Sequence, residues 1–80
     1  MWIRNQTETM LYNETREIYV SRRKNGYEVM YVVCCIDYEL GKYSTEKKAI
    51  KVLQMIEEHI NKGTPIVFKM PKDEEVSKDD

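Results

Sequence analysis

The stretch LGKYSTEKKAIKVLQMIEEHI, residues 40–60, constrains the fold of this chain more than any other. Ser44 or Thr45 can cap a helix by accepting a backbone N–H bond, and Gly63 suits the left-handed position that ends one. Between them the apolar residues recur at helical spacing and gather on one side: Ala49, Val52, Leu53, Ile56 and Ile60. The pattern predicts one amphipathic helix over residues 45–61, and such a helix needs a sheet on which to pack.

The residues before this helix have the composition of a β-hairpin. In REIYVSRRKNGYEVMYVV, residues 16–33, Asn25-Gly26 separates two β-rich arms and favours a type I′ turn, in which both central residues have positive φ. A two-residue loop at that position sets Arg23 directly opposite Glu28, a favourable pair of charges across the strands. The sequence therefore predicts a hairpin with this register.

Shorter β-rich segments complete the predicted fold. They are WIR and MLY before the hairpin, residues 38–43 after it, and residues 66–70 after the helix. We therefore predict an α+β fold, with an antiparallel sheet of about five strands and a single amphipathic helix packed on one face. Leu53 and Ile56 are expected to be among the most buried residues of that helix.

The second arm of the hairpin is apolar on both of its faces, which is typical of a strand covered on both sides. A single helix covers one face, so the other face needs a different cover. We predict that a second copy of the chain supplies it, in a symmetric dimer. The candidate interface residues are Tyr19, Met30, Val32 and Cys34. The alternative is a monomer in which the first two strands fold over this face.

The acidic residues are concentrated at the end of the chain. Residues 71–80 hold five of the 14 acidic and two of the 13 basic residues, so residues 1–70 keep nine acidic and 11 basic ones. We predict a single domain over residues 1–70 and an acidic flexible tail over residues 71–80. The small basic excess of the domain does not indicate a nucleic-acid surface.

Apolar runs and cysteine usage indicate a compartment. No apolar run approaches the ~18 residues of a membrane span, and the first residues lack the long apolar run of a signal peptide. Cys34 and Cys35 are adjacent, and we expect both to be small buried residues in a strand. The prediction is a cytoplasmic protein without membrane contact.

Catalytic and metal-binding patterns are missing from the sequence. The two cysteines and His59 cannot complete a four-ligand zinc site, so we expect no metal and no cofactor. Ser44 and His59, a nucleophile and a base, lie roughly 22 Å apart along the helix and cannot meet. There is no glycine-rich phosphate loop and no pair of acids in an apolar setting. We predict that the protein is not an enzyme.

Aromatic residues and cations supply the candidate binding residues. Six tyrosines and one tryptophan accompany a single phenylalanine, and tyrosine and tryptophan suit interfaces and planar ligands. A bound nucleotide would need an aromatic platform together with guanidinium groups or the amides at a helix N-terminus. The candidate ligand-binding residues of these types are Trp2, Arg4, Arg22, Arg23, Tyr43, Ser44 and Thr45.

Three segments together resemble a known family: the opening MWIR.Q, the LGKYSTEKKAIKVLQMIEEHI block and the late VFKMP. The family consists of small proteins of phages, prophages and integrated elements of low-GC Gram-positive bacteria. The hairpin and the cysteine pair lie outside the shared pattern, and no catalytic residue carries over. The resemblance implies a small accessory protein that modifies or evades the host.

We therefore expect a non-enzymatic phage-type accessory protein that antagonises host defence by binding, in the host cytoplasm if it is phage-encoded. Its partner would be either a small nucleotide signal, which it sequesters, or a host defence protein, which it occludes. One alternative is a nucleic-acid-binding accessory protein that uses Arg22, Arg23 and the lysines of the helix. A second alternative is a structural or assembly protein of the virion.

Overall fold

The structure, a computed structural model, describes residues 2–13, 17–63 and 66–76, and of Val33 it describes the backbone alone. In these residues the chain forms an α+β domain with one α-helix and two three-stranded sheets. The elements are β1 (Ile3–Arg4), β2 (Leu11–Tyr12), β3 (Glu17–Arg23), β4 (Gly26–Val33), β5 (Ile36–Tyr43), α1 (Glu46–Lys62), β6 (Phe68–Lys69) and a 3-10 turn (Asp73–Glu75).

The strands form two separate sheets. The main sheet has the order β3-β4-β5 and is antiparallel throughout, whereas the small sheet has the order β2-β1-β6. In the small sheet β1 runs antiparallel to β2 and parallel to β6. The α+β class and the predominance of antiparallel pairing are confirmed, and the prediction of a single sheet of about five strands is wrong.

Gln6 explains why the small sheet does not extend the main one. Its backbone N–H donates to the carbonyl of Leu40 at 2.7 Å. Its side chain accepts from the N–H of Lys42 at 2.8 Å and donates to the carbonyl of Lys42 at 3.1 Å. A glutamine amide carries the same donor and acceptor as a peptide group. Gln6 therefore bonds to the edge of β5 where another strand would pair.

The β3–β4 hairpin forms with a shifted register. Its turn lies at Lys24-Asn25, and Arg23 pairs with Gly26 rather than with Glu28. Gly26 has φ 142, and a Cβ there would lie 2.7 Å from the carbonyl oxygen of Tyr43. Only glycine fits that close approach, so Gly26 begins β4 instead of completing a turn. The shift is two residues, and a two-residue shift leaves every side chain on its predicted face.

The β4–β5 hairpin has the type I′ turn conformation that was predicted for Asn25-Gly26. Val33 pairs with Ile36 across a two-residue connection, Cys34-Cys35, in which φ is 50 and 70. Positive φ at both central residues is the feature of a type I′ turn, where side chains other than Asn, Asp and Gly are disfavoured. Both cysteines are exposed, so the prediction of two buried strand residues is wrong.

The helix begins and ends as its sequence indicates. The Thr45 hydroxyl accepts from the N–H of Lys48, and Gly63, with φ 63, donates its N–H to the carbonyl of Ile60. Both the predicted caps and the predicted extent are confirmed to within one residue. The buried side of the helix is rotated from the predicted stripe: it comprises Lys48, Ala49, Val52 and Ile56.

Leu53 marks the flank of the helix that stays open. Ile56 is only 2% exposed, as predicted, whereas Leu53 is half-buried and Ile60 is 51% exposed. The small sheet lies beside the helix on the same face of the main sheet, and Ile3 and Phe68 join the helix in one core. The Tyr12 ring reaches Tyr31 of the main sheet at 5.1 Å between centroids. Because the small sheet covers one flank of the helix, the opposite flank, toward β3, remains open.

The outer face of the main sheet, opposite the helix, is less apolar in space than its sequence suggests. Met30 is only 4% exposed in the single chain, and its paired residues on the neighbouring strands are Tyr19 and Glu39. Tyr19 and Val32 are half-buried. The premise of the predicted interface, a bare apolar face, is therefore not met at Met30.

Two related predictions about the outer face are wrong. Cys34 lies in the exposed turn and not on the outer face. The alternative monomer, with the first two strands folded over the outer face, is also wrong. Those strands pack with Ile3 in the core on the helix side. An interface through Tyr19, Met30 and Val32 stays a prediction.

The segment after β6 belongs to the domain. Val76 is 5% exposed and joins the hydrophobic core. The carbonyl of Pro71 accepts from the Tyr43 hydroxyl at 2.7 Å. The predicted boundary at residue 70 is therefore too early, and the packed domain extends to Val76. Residues 77–80, the rest of the predicted tail, lie outside the described residues.

Candidate functional site

The N-terminus of the helix, predicted to hold a phosphate group, is occupied by a side chain of the protein itself. Asp73 Oδ1 accepts from the Ser44 backbone N–H at 2.8 Å and from the Ser44 hydroxyl at 3.1 Å. Lys48 Nζ lies 3.4 Å from the same oxygen and donates to the carbonyl of Asp73 at 2.9 Å. Asp73 therefore fills the position that an anion would take at this helix end.

The bonds from Ser44 lower the pKa of Asp73, and Lys48 acts in the same direction. Each of these contacts favours the ionised carboxylate. Lys48 itself is only 4% exposed, so it is buried in this contact and does not lie on the solvated face of the helix. The arrangement is a clamp between the 3-10 turn and the first turn of α1.

Three predicted ligand residues serve this clamp or the core. Tyr43 is 1% exposed, and burial raises the pKa of its hydroxyl, which donates to Pro71. Thr45 is the helix cap and Ser44 bonds to Asp73. A buried ring cannot stack on a base, and the Ser44 N–H and hydroxyl cannot receive a phosphate without displacing Asp73.

Arg22 and Arg23 lie at the tip of the β3–β4 hairpin and point to different faces. Arg23 lies on the outer face, where its Nε donates to Glu28 at 2.7 Å. Arg22 pairs with Tyr27 on the opposite face. Alternation along a strand separates the two guanidinium groups, so they do not form one cationic site.

Glu28 and Glu39 form a carboxyl pair that the sequence did not indicate. They lie on neighbouring strands of the outer face, and their mutual hydrogen bond lowers the pKa of Glu28 and raises that of Glu39. Arg23 adds to the lowering at Glu28. Only the register of β4 and β5 could have indicated this pair, because residues diagonal to each other on neighbouring strands approach closely. The pair lies on a strand face beside Met30 rather than in a cleft, so it lacks an enclosed position for a substrate.

Trp2 and Arg4 come together on the outward face of the small sheet. Ile3 between them is fully buried, so its neighbours point the other way. Arg4 pairs with Leu11 on one side and with Lys69 on the other. Trp2 and Leu11 are each 45% exposed. We call the set Trp2, Arg4, Leu11 and Lys69 the small-sheet patch.

The small-sheet patch includes two of the seven predicted ligand residues. Leu11 and Lys69 were missed. Lys69 reaches Arg4 through a pairing between strands at opposite ends of the chain, whereas Leu11 pairs with Arg4 from the next strand along the sequence. Arg4 is partly held in place, since its Nη1 donates to the carbonyl of Glu8 at 3.2 Å. The patch thus combines an exposed indole, an apolar side chain and two cations.

A second exposed apolar feature lies between the helix and strand β3. This groove has a volume of about 420 Å³. Its apolar lining comes from Ile18 of the strand and from the open flank of the helix, and polar residues form its rim. We call it the helix–edge groove; its residues are Ile18, Ile50, Leu53, Gln54, Ile56, Glu57, Ile60 and Asn61.

His59 has a structural role. Its Nε2 donates to the carbonyl of Ile66 at 2.7 Å, and its ring meets Phe68 edge-on at 5.4 Å.

Among the described residues there is no group of three or more His, Cys, Asp or Glu side chains that could hold a metal ion. No helix in the described part of the chain is long and apolar enough to cross a bilayer.

Comparisons of the chain with models of protein families, with curated proteins and with solved structures give no match.

Proposed function

We propose that this protein is a non-enzymatic, phage-type accessory protein that acts against host defence by binding and occluding a host protein. The small-sheet patch is its contact surface. The observation that carries the proposal is the contrast between two candidate sites. The helix N-terminus is closed by Asp73, whereas Trp2 and Arg4 share an exposed face with Leu11 and Lys69.

The closed helix end disfavours sequestration of a nucleotide signal. Sequestration needs an aromatic platform beside phosphate-binding groups. Trp2 lies on the small sheet, while at the helix end the Ser44 N–H is bonded to Asp73 and the Lys48 N–H to Thr45. Occlusion of a protein needs only an exposed surface with a few strongly binding residues. Tryptophan and arginine are the residue types most enriched at the energetic centres of protein interfaces.

The chemistry of the patch indicates the kind of host surface. Trp2 and Leu11 offer apolar area, and Arg4 and Lys69 place two positive charges beside it. The complementary surface has an apolar depression with acidic residues at its rim. The small-sheet patch also contains no acid, which distinguishes it from the mixed charges of the outer face.

The proposal is tested by phage infection of cells that carry a panel of defence systems. Cells expressing the wild-type protein should restore plaque formation against at least one system. The Trp2→Ala and Arg4→Glu variants should lose that effect while unfolding at the same temperature as the wild type. The matched control is Ile36→Ala, which removes an isoleucine that is 53% exposed at the opposite hairpin. Equal protection by all variants would reject the patch.

Calorimetry and salt titration separate the alternatives. Binding of cyclic dinucleotides or ADP-ribose derivatives to the purified protein would restore the sequestration hypothesis. Binding of single-stranded DNA that weakens steeply with salt would support the nucleic-acid hypothesis, since phosphate contacts release counterions. We expect both titrations to be silent.

A further inference from the structure

Among the described residues, no strand pairs with the outer edge of β3 in the main sheet. Arg23 and Gly26 close the hairpin across a two-residue connection, so they exchange both of their backbone hydrogen bonds. Hydrogen bonding alternates along the strand, so Ile18, Val20 and Arg22 turn their N–H and C=O groups away from β4. No other described residue bonds to these groups.

In the part of the chain that the structure describes, this edge lacks the features that normally prevent pairing. Sheet edges are usually protected by proline, by a bulge, by central charges or by a covering segment. β3 is seven residues long, contains no proline and carries its charges only at its ends, with IYVS between them. The bulge of this sheet lies between β4 and β5, at Val29/Met30. β3 is therefore suited to accept another strand.

We propose that the strand it accepts is β3 of a second copy, paired antiparallel about a two-fold axis at Val20. In this register Val20 meets Val20 of the second copy, and Ile18 meets Arg22. These are the residues whose backbone groups face outward, so every outward N–H and C=O of the three finds a partner. The product is a continuous six-stranded sheet with both helices on one face.

Charge selects this arrangement. The antiparallel register sets Glu17 opposite Arg23 of the second copy, and the symmetry makes the same pair twice. Glu17 is exposed, and Arg23 uses its Nε for Glu28, so the remaining nitrogen atoms of the guanidinium group can take a second carboxylate. A parallel arrangement would set like charges opposite each other, which is unfavourable.

The helix–edge groove lies directly beside this seam. Ile50 and Ile60, on the open flank of the helix, are 42% and 51% exposed in the single chain. Pairing of β3 brings the Arg22 stem of the second copy to Ile18, at the floor of the groove, with Glu57 on the rim. The same contact therefore covers apolar side chains and places a cation near an acid.

This interface differs from the outer-face dimer and goes beyond the proposed function. The small sheet lies on the β5 side, where Gln6 bonds to Leu40 and Lys42, so the small-sheet patch stays free on both copies. The dimer presents two contact patches at opposite ends of one sheet.

Sedimentation equilibrium and hydrogen exchange test the inference. The wild-type protein should form a species of twice the 9.6 kDa chain mass. Val20→Pro removes two of the seam hydrogen bonds and should weaken the dimer at least about tenfold, while proline is tolerated at an edge. Val20→Thr keeps the amide and is the matched control. In the wild-type dimer the amides of Ile18, Val20 and Arg22 should be protected from exchange.

A second pair of variants does not touch the backbone. Glu17→Lys opposes Arg23 of the second copy and should also weaken the dimer, whereas Glu58→Lys makes the same charge change on the exposed helix surface and should not. A wild-type monomer up to about 100 µM would overturn the inference. So would a dimer that neither Val20→Pro nor Glu17→Lys weakens, and dissociation by Val32→Lys alone would assign it to the outer face.

Discussion

The two edges of the main sheet differ in whether their outward backbone groups have hydrogen-bond partners. At β5, Gln6 gives one backbone bond to Leu40 and two side-chain bonds to Lys42. At β3, the outward groups of Ile18, Val20 and Arg22 have no partner among the described residues. One glutamine closes this edge with far fewer residues than a further strand would need. The β3 edge has no residue in this role among those described, and it is the edge that we propose pairs with a second copy.

The largest effect should separate the two flanks of the helix. Ile56→Ala removes a side chain that is 2% exposed, and we expect a loss of roughly 2–5 kcal/mol in the free energy of unfolding. Leu53→Ala removes a half-buried side chain and should cost about 1 kcal/mol in dilute protein. Urea unfolding measures both. If the two losses are equal in the monomer, the flank toward β3 is not open.

An intermediate effect should follow from opening the closed edge. Gln6→Ala leaves the N–H and the carbonyl of Lys42 without their side-chain partner and removes one of the two donors to the carbonyl of Pro71, and it should cost about 2 kcal/mol. Gln6→Glu keeps the acceptor for Lys42 N–H but sets a carboxylate oxygen against the carbonyl oxygens of Lys42 and Pro71, so it should also destabilise the protein. Glu58→Ala, on the exposed helix surface outside the groove, is the control with almost no effect. If Gln6→Ala leaves the free energy of unfolding unchanged, the Gln6 side chain does not stabilise the β5 edge.

The smallest effect concerns the clamp that holds the 3-10 turn beside the closed edge. Asp73→Ala removes the acceptor for Ser44 and should cost about 1 kcal/mol at neutral pH. Because the folded state lowers the pKa of Asp73, its contribution is full above the unfolded value of about 3.9 and is lost as pH falls through the folded value.

The measurement for Asp73 is urea unfolding at pH 7 and near pH 3. Wild type and Asp73→Ala should differ most at the higher pH, and the difference should be smaller at the lower one. Glu74→Ala, an exposed neighbour, should follow the wild type at both values. A difference that persists unchanged in acid would mean that the charge of Asp73 does not matter to the clamp.

Signals that act over a few residues predicted much of this fold. The caps Thr45 and Gly63 fixed the helix, since a cap is read within one turn. The faces of the hairpin followed from strand alternation even though its register was shifted. The shift itself depended on Gly26 meeting Tyr43 of another strand, which the Asn-Gly pair does not reveal. The Cys34-Cys35 turn lacks the residues that usually announce positive φ.

The candidate site was less predictable because it depends on contacts between distant residues. Trp2 and Arg4 were found by residue type, and their common face follows from alternation about Ile3. Ser44 and Thr45 had the right chemistry for an anion, but Asp73, 29 residues from Ser44, already supplies one. No local pattern shows that a carboxylate from the end of the domain will fill a helix terminus.

The Gln6 contact also has a kinetic consequence. The two hairpins and the helix join neighbouring segments, and such local elements form quickly. Gln6 reaches Lys42 only by closing a loop across 36 residues, and closure of that loop costs entropy before its bonds form. During folding, then, the main sheet first exists with both edges bare. The β5 edge is protected from wrong pairing once Gln6 bonds to it. The β3 edge is protected once it pairs with a second chain in the proposed dimer.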